Sequence, residues 1–192
     1  DRIVRSLDLL QERGIKFELK CPAMTLTLDE LPAMNEFAKA RGATFRYDPI
    51  MTPDDHRDMR PIQYQLSPDE IIRLDEQFDP GAVHSREFAM SRPATGNNVY
   101  ICGAGKTSMH IDVHGGVSTC LTSRQIVGNL FEQGFDEVWG ALGGKVAKRY
   151  PDGHPCATCQ FRGMCAGCPA TAERMTGLPE GYVQQYCKIT HL

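Results

Sequence analysis

Cys156-Ala157-Thr158-Cys159-Gln160-Phe161-Arg162-Gly163-Met164-Cys165-Ala166-Gly167-Cys168 packs four of the chain's eight cysteines into thirteen residues. In each Cys-x-x-Cys pair the intervening backbone turns tightly enough to aim both sulfurs at one centre, which is why the pair recurs in zinc and iron–sulfur sites. Three more cysteines lie in the same half of the chain. Cys102 precedes Gly115 by twelve intervening residues, Cys120 follows that glycine after four more, and Cys187 lies near the end. Cys21 stands apart at the end of a predicted strand, where it reads as a small buried hydrophobe. Seven candidate ligands do not divide into two sets of four. A pair of centres then requires a non-cysteine ligand, a more distant cysteine or an open coordination position.

Composition narrows the setting. At 192 residues, with 41% apolar and 23% charged residues and a net charge of −3, the chain reads as an ordinary soluble protein able to bury a core. There is no basic excess to suggest nucleic acid, and no apolar run long enough to span a membrane. No export signal is visible, so a cytoplasmic location is expected. Disulfides suit exported chains, usually ones too small for a sufficient core, and rank last here. Structural zinc ranks second and iron–sulfur ligation first. The chain opens at Asp1 inside a helical pattern, without Met, and reads as part of a longer protein.

The first third alternates helix and strand. Residues 2–13 place Ile3, Val4, Leu7 and Leu10 at helical spacing, and Gly14 offers a stop. Ile15 to Cys21 alternates as a strand, with Phe17, Leu19 and Cys21 on one face and Glu18 and Lys20 on the other. Thr27-x-x-Glu30 resembles a capping box opening a second helix that ends near Gly42. Ala43 to Ile50 then reads as a strand, with Phe45 and Tyr47 on one face and Thr44, Arg46 and Asp48 on the other. Such units are the signature of parallel α/β architecture, and two of them cannot close a sheet. A polar strand face suits either a cavity holding something polar or an edge open to water.

Residues 61–98 read as a linker with one short helix, capped at Ser67, opened by Pro68 and ending about Phe78. From residue 99 the texture changes to glycine-rich turns and short strands. Met109 to Val113 alternates, Gly115-Gly116 offers a hairpin turn, and the return strand delivers Cys120. Phe135 to Lys148 reads as a helix weakened by Gly140, Gly143 and Gly144, and a loop-rich cysteine module follows. His110, Asp112 and His114 share a face that reads as a solvated hairpin more than as an acid–base site. Gly103-x-Gly105-Lys106-Thr107 lacks the full phosphate-loop spacing; its glycines suit close passage of the backbone past a metal centre.

These residues carry a resemblance. The run of Cys102, Gly115, Cys120, Cys156, Cys159, Cys165, Cys168 and Cys187 resembles the SPASM auxiliary-cluster domain of radical S-adenosylmethionine (SAM) enzymes. The stretches Ile126-Val127-Gly128-Asn129-Leu130, Phe135-Asp136-Glu137-Val138-Trp139 and Cys165-Ala166-Gly167-Cys168-Pro169-Ala170 resemble the family's intervening text. The match covers about residues 99–192, and residues 1–60 resemble the last helix–strand units of the family's partial barrel. The fold class implied is α/β: the end of a partial (β/α) barrel over 1–60, a linker over 61–98, and a small α+β cysteine-rich domain with a β-hairpin over 99–192. One departure is plain, since two residues separate Cys165 from Cys168 where the family usually has three.

The resemblance implies two auxiliary [4Fe–4S] clusters. Cys156, Cys159, Cys165 and Cys187 would hold one, and Cys102, Cys120 and Cys168 would supply three ligands to the other, leaving its fourth position open or non-cysteine. The polar strand face of Thr44, Arg46 and Asp48 would meet SAM or substrate. The family's C-x3-C-x2-C motif, which holds the SAM-cleaving cluster, is absent from the 192 residues. SAM cleavage to a 5′-deoxyadenosyl radical would therefore occur at a third [4Fe–4S] cluster outside this chain. The chain itself would transfer electrons and position a peptide or protein substrate, with a flavodoxin or ferredoxin as donor. Sulfatase-maturing members place a basic Asp directly after the hairpin cysteine; Leu121 stands there in this chain, against that activity. The rival reading from another class is a non-catalytic zinc module whose cysteines staple a loop-rich fold.

Overall fold

In the computed structural model, which describes residues 2–54, 58–78, 96–123, 125–165 and 167–191, both N-terminal helices end at an Arg-Gly pair. Helix α1 (Arg2–Glu12) stops where Gly14 takes φ +66°, with Gly14 N–H donating to the Gln11 carbonyl and Ile15 N–H to that of Leu10. Helix α2 (Leu31–Lys39) repeats the device at Gly42, φ +65°, with Gly42 N–H on Lys39 and Ala43 N–H on Ala38. Glycine enters this left-handed turn without Cβ strain, and the turn satisfies carbonyls that the helix leaves free. After each turn the chain enters a strand, β1 (Glu18–Pro22) and β2 (Thr44–Asp48). They pair in parallel, from Glu18 opposite Thr44 to Pro22 opposite Asp48.

The expected alternation is present. Leu19, Cys21, Phe45 and Tyr47 are half-buried, whereas Glu18, Lys20, Thr44 and Arg46 are exposed. The expected capping box is not formed. A 3-10 turn, Leu28–Glu30, precedes α2, and Thr27 makes no side-chain cap. Its hydroxyl points backward instead, donating to the Pro22 carbonyl at 2.9 Å and accepting from Met24 N–H at 3.2 Å. Pro32, in the first turn of α2, has no N–H to cap. Ala23, Leu31, Ala38 and Leu66 form the buried centre of this unit, which comprises residues 1–51 and 60–67.

A second unit comprises residues 52–59 and 68–192. Helix α3 (Pro68–Phe78) buries Ile71 and Leu74. Strands β3 (His110–Ile111), β4 (Gly116–Ser118) and β5 (Gly128–Asn129) form an antiparallel sheet in sequence order. The third strand enlarges the expected hairpin. Helix α4 (Phe135–Val146) buries Val138, Leu142 and Val146, the helical i, i+4, i+8 stripe, and Val117 packs against the first two. Gly140, Gly143 and Gly144 have open space where a Cβ would stand, and the helix runs through them unbroken.

The cysteine-rich end is more helical than expected. Helix α5 (Pro169–Thr176) opens with Cys168 as N-cap and Pro169 in its first turn, and ends at Gly177 with φ +89°. Helix α6 (Gln184–His191) buries Tyr186 and Ile189 and packs on α3.

Candidate metal centre

The hairpin is built around one glycine and one carboxylate. Gly115 takes φ +79°, and a Cβ there would lie 2.6 Å from Asn129 Oδ1. Position 115 thus admits only glycine on both backbone and space grounds. Asp112 accepts from His114 N–H at 2.8 Å and Gly116 N–H at 2.9 Å. Those two donors, with the nearby histidines, hold its carboxyl below the usual range. Asn129 fastens the tip to β5, donating to the His114 carbonyl and accepting from Phe131 N–H. Asp112 is therefore a turn fastening, and His110 Nδ1 lies 3.4 Å from Ser118 Oγ. Past the turn, β4 leads into Thr119 and Cys120.

The loop after Cys102 folds onto itself. The Gly103 carbonyl accepts from the N–H groups of Lys106, Thr107 and Ser108, and Lys106 Nζ donates to the Tyr100 carbonyl at 2.6 Å. A Cβ on Gly105 would lie 2.6 Å from Val146, so this backbone runs directly against α4. No phosphate cradle is formed here.

None of the eight cysteines forms a disulfide; Cys102 is exposed and the others are half-buried. Cys156, Cys159, Cys165, Cys168 and Cys187 line one cavity of about 70 Å³. Cys156 and Cys159 lie on successive turns, where Ala157 N–H donates to His154 and Arg162 N–H to Cys159. Cys165 accepts Gly167 N–H on its sulfur at 3.3 Å, and a Cβ on Gly167 would lie 3.2 Å from that sulfur. Cys187 arrives from α6, and His191 on the same helix places Nε2 3.7 Å from Cys159 Sγ.

The electrostatic neighbours sort the thiols further. Burial raises the Cys156 thiol, and the charges of Cys165, Cys159 and Cys187 raise it further. Tyr100, only 1% exposed, has a phenol raised by burial, then by Glu173, then by Cys120, Cys168 and Cys102. Cys165, Cys159 and Cys187 thus act on Cys156, and Cys120, Cys168 and Cys102 act on Tyr100. Cys21 belongs to the first unit, and burial raises its thiol too. Thr44, Arg46 and Asp48 lie on the first unit's open strand face, where Arg46 pairs with Glu18 at 3.4 Å and Asp48 with Lys20 at 3.1 Å.

Three groups escaped the sequence reading. Arg162 is 6% exposed, and its Nη2 has no hydrogen-bond partner among the described residues. The Tyr100 hydroxyl is likewise buried without a partner. Glu173 is buried 3.7 Å from Lys145 Nζ; burial raises its carboxyl against the opposing pull of that lysine. The visible signal was a lone arginine inside a dense thiolate run. Among the described residues no three Cys, His or carboxylate groups stand close enough to chelate a single ion. Thiols gathered around one cavity, a backbone N–H on Cys165 and an unanswered cation at Arg162 all fit a sulfur-rich anionic cluster.

Comparison with known proteins agrees with this chemistry. Residues 102–169 match the family model of the SPASM iron–sulfur cluster-binding domain. The chain is similar to the AdoMet-dependent heme synthase of Methanosarcina barkeri (strain Fusaro / DSM 804), 22% identical over 204 residues. That alignment covers 92% of this chain and 57% of the relative, so the chain spans a little over half the relative's length. No solved structure matches. Among the described residues no helix is long and apolar enough to cross a membrane.

Proposed function

We propose, from the premise that residues 102–169 form a SPASM iron–sulfur cluster-binding domain, that this chain is the auxiliary-cluster portion of a radical SAM enzyme. The carrying observation is the gathering of Cys156, Cys159, Cys165, Cys168 and Cys187 around one cavity. Cys156, Cys159, Cys165 and Cys187 would hold one [4Fe–4S] cluster, and Cys102, Cys120 and Cys168 would hold a second with one position open. When bound, the clusters supply one-electron transfer between substrate and donor. The protein's part is to fix the sulfurs on short turns and helix ends and tune their electronics through N–H and side-chain donors. Residues 1–60 are read as the end of the partial barrel, with Thr44, Arg46 and Asp48 toward SAM or substrate. In the whole protein SAM would be cleaved at a third cluster outside this chain.

The substrate is first read as a peptide or protein, with a flavodoxin or ferredoxin as donor and the cytoplasm as location. The activity in the relative's name supports a second reading, SAM-dependent synthesis of heme. In the full-length enzyme, 5′-deoxyadenosine released only on adding a tetrapyrrole favours the second, and release with a peptide favours the first. The cluster assignment itself is tested by anaerobic purification. A brown protein absorbing near 400 nm and releasing iron and sulfide is expected, and a colourless, zinc-containing, sulfide-free protein defeats it in favour of the structural zinc module.

A further inference from the structure

Arg162 sits inside the thiolate run, between Cys159 and Cys165, and is anchored on one side only. Nη1 donates to the Gly96 carbonyl at 2.6 Å, and the guanidinium lies 5.0 Å from the centre of the Tyr150 ring. Tyr150 in turn stacks on His154, whose Nδ1 accepts from Cys156 N–H at 3.1 Å. Nη2 is buried and has no partner among the described residues. The residue lines the cavity shared by the cysteines, and among the described residues no carboxylate lines that cavity.

A guanidinium cannot shed its proton, so its charge persists under burial. A buried cation with an unused donor is costly unless an anion answers it. The anionic groups of this cavity are sulfurs. We propose that Arg162 sets the reduction potential of the centre held by Cys156, Cys159, Cys165 and Cys187, directing its free Nη2–H and its charge at that centre. The proposal rests on the ligation proposed above. One-electron reduction adds one negative charge and breaks no bond, the electron coming from a low-potential one-electron reductant. A fixed neighbouring cation stabilises the reduced form more than the oxidised form, so the potential rises.

The test is an EPR-monitored titration with dithionite of the anaerobically reconstituted chain, with iron and sulfide measured alongside. Arg162→Gln is expected to keep its iron and sulfide and to make reduction of one centre about tenfold less favourable, about 59 mV for a one-electron couple. The other centre should hold its potential. Arg162→Lys, which keeps the charge but not the fork, should give a smaller shift in the same direction. Unchanged potentials in both variants at full iron content overturn the proposal. Should Arg162→Gln fail to fold or to retain iron, the wild-type chain decides. Labelled with ¹⁵N-arginine, it should show a nitrogen coupling in pulsed EPR of the reduced centre, and no coupling overturns the proposal. A wild-type chain without iron and sulfide overturns the cluster reading instead, so the two failures are told apart.

Discussion

The two units handle charge in opposite ways. In the first, Glu18–Arg46 and Lys20–Asp48 lie diagonally across two parallel strands, with every member substantially open to solvent. In the second, Lys145 and Glu173 pair with side chains only 13% and 9% exposed, and Arg162 is buried with one donor unused. Surface pairs are screened and contribute at most about 1 kcal/mol, so they can be rearranged for a ligand at little cost. Buried charges have no such freedom. Where they persist, something permanent must compensate them: Lys145 and Glu173 answer each other, and Arg162 faces the thiolate-lined cavity.

The largest expected effect lies at the thiols. Cys159→Ser should remove about half of the cluster iron, if two four-iron centres are present. It should also speed amide exchange over 150–191 while leaving α1 to β2 unchanged. Unaltered iron content with native exchange would break the contrast between the units. Next comes Glu173→Gln, which removes the counter-charge of Lys145, an ammonium also bonded to Gln125 at 2.7 Å, and should cost on the order of 2 kcal/mol in thermal or denaturant unfolding. Adding Lys145→Met should recover part of that loss, because it removes the stranded cation.

On the open face the effects should be small for stability and large only if the face is used. Arg46→Gln is expected to cost less than about 1 kcal/mol. A sharp loss of SAM affinity in the full-length enzyme, measured by calorimetry, would establish the face as a ligand contact, and unchanged affinity would leave it a solvated edge. Asp112 offers the smallest test, an exposed charge within the second unit. Its folded pKa lies below its unfolded value, so its contribution is full above the unfolded pKa and declines as pH falls through the folded one. Protection of the His114 and Gly116 amides should fall in that acid range, and Asp112→Ala should show the same loss at neutral pH.

How much was legible depended on periodicity. Helices α1 and α2 and strands β1 and β2 followed from apolar spacing, because each buries one face over several turns or alternate positions, and α3 followed from its Ser67-Pro68 start. The Gly115 turn was equally legible, since its backbone demands one residue type. Helices α5 and α6 were read as loop. They have eight residues each, and their polar sequences lack a clean apolar stripe. Pro169 at the start of α5 and Gly177 at its end were the available signals. Thr27 misled because its hydroxyl satisfied the preceding turn, a choice that spacing does not reveal. The thiols were legible as candidate ligands from their spacing. Arg162 was not, because only burial distinguishes an unanswered guanidinium from a solvated one.

Cys187 carries a consequence for biosynthesis. It lies on α6, and α6 is held by packing against α3. On the ribosome, Cys156, Cys159 and Cys165 emerge well before that helix exists to dock. A centre loaded at that stage would have three protein thiolates and one corner open to water or oxygen. Under the proposed ligation, protected loading of this pocket would wait until α6 is made and has found α3.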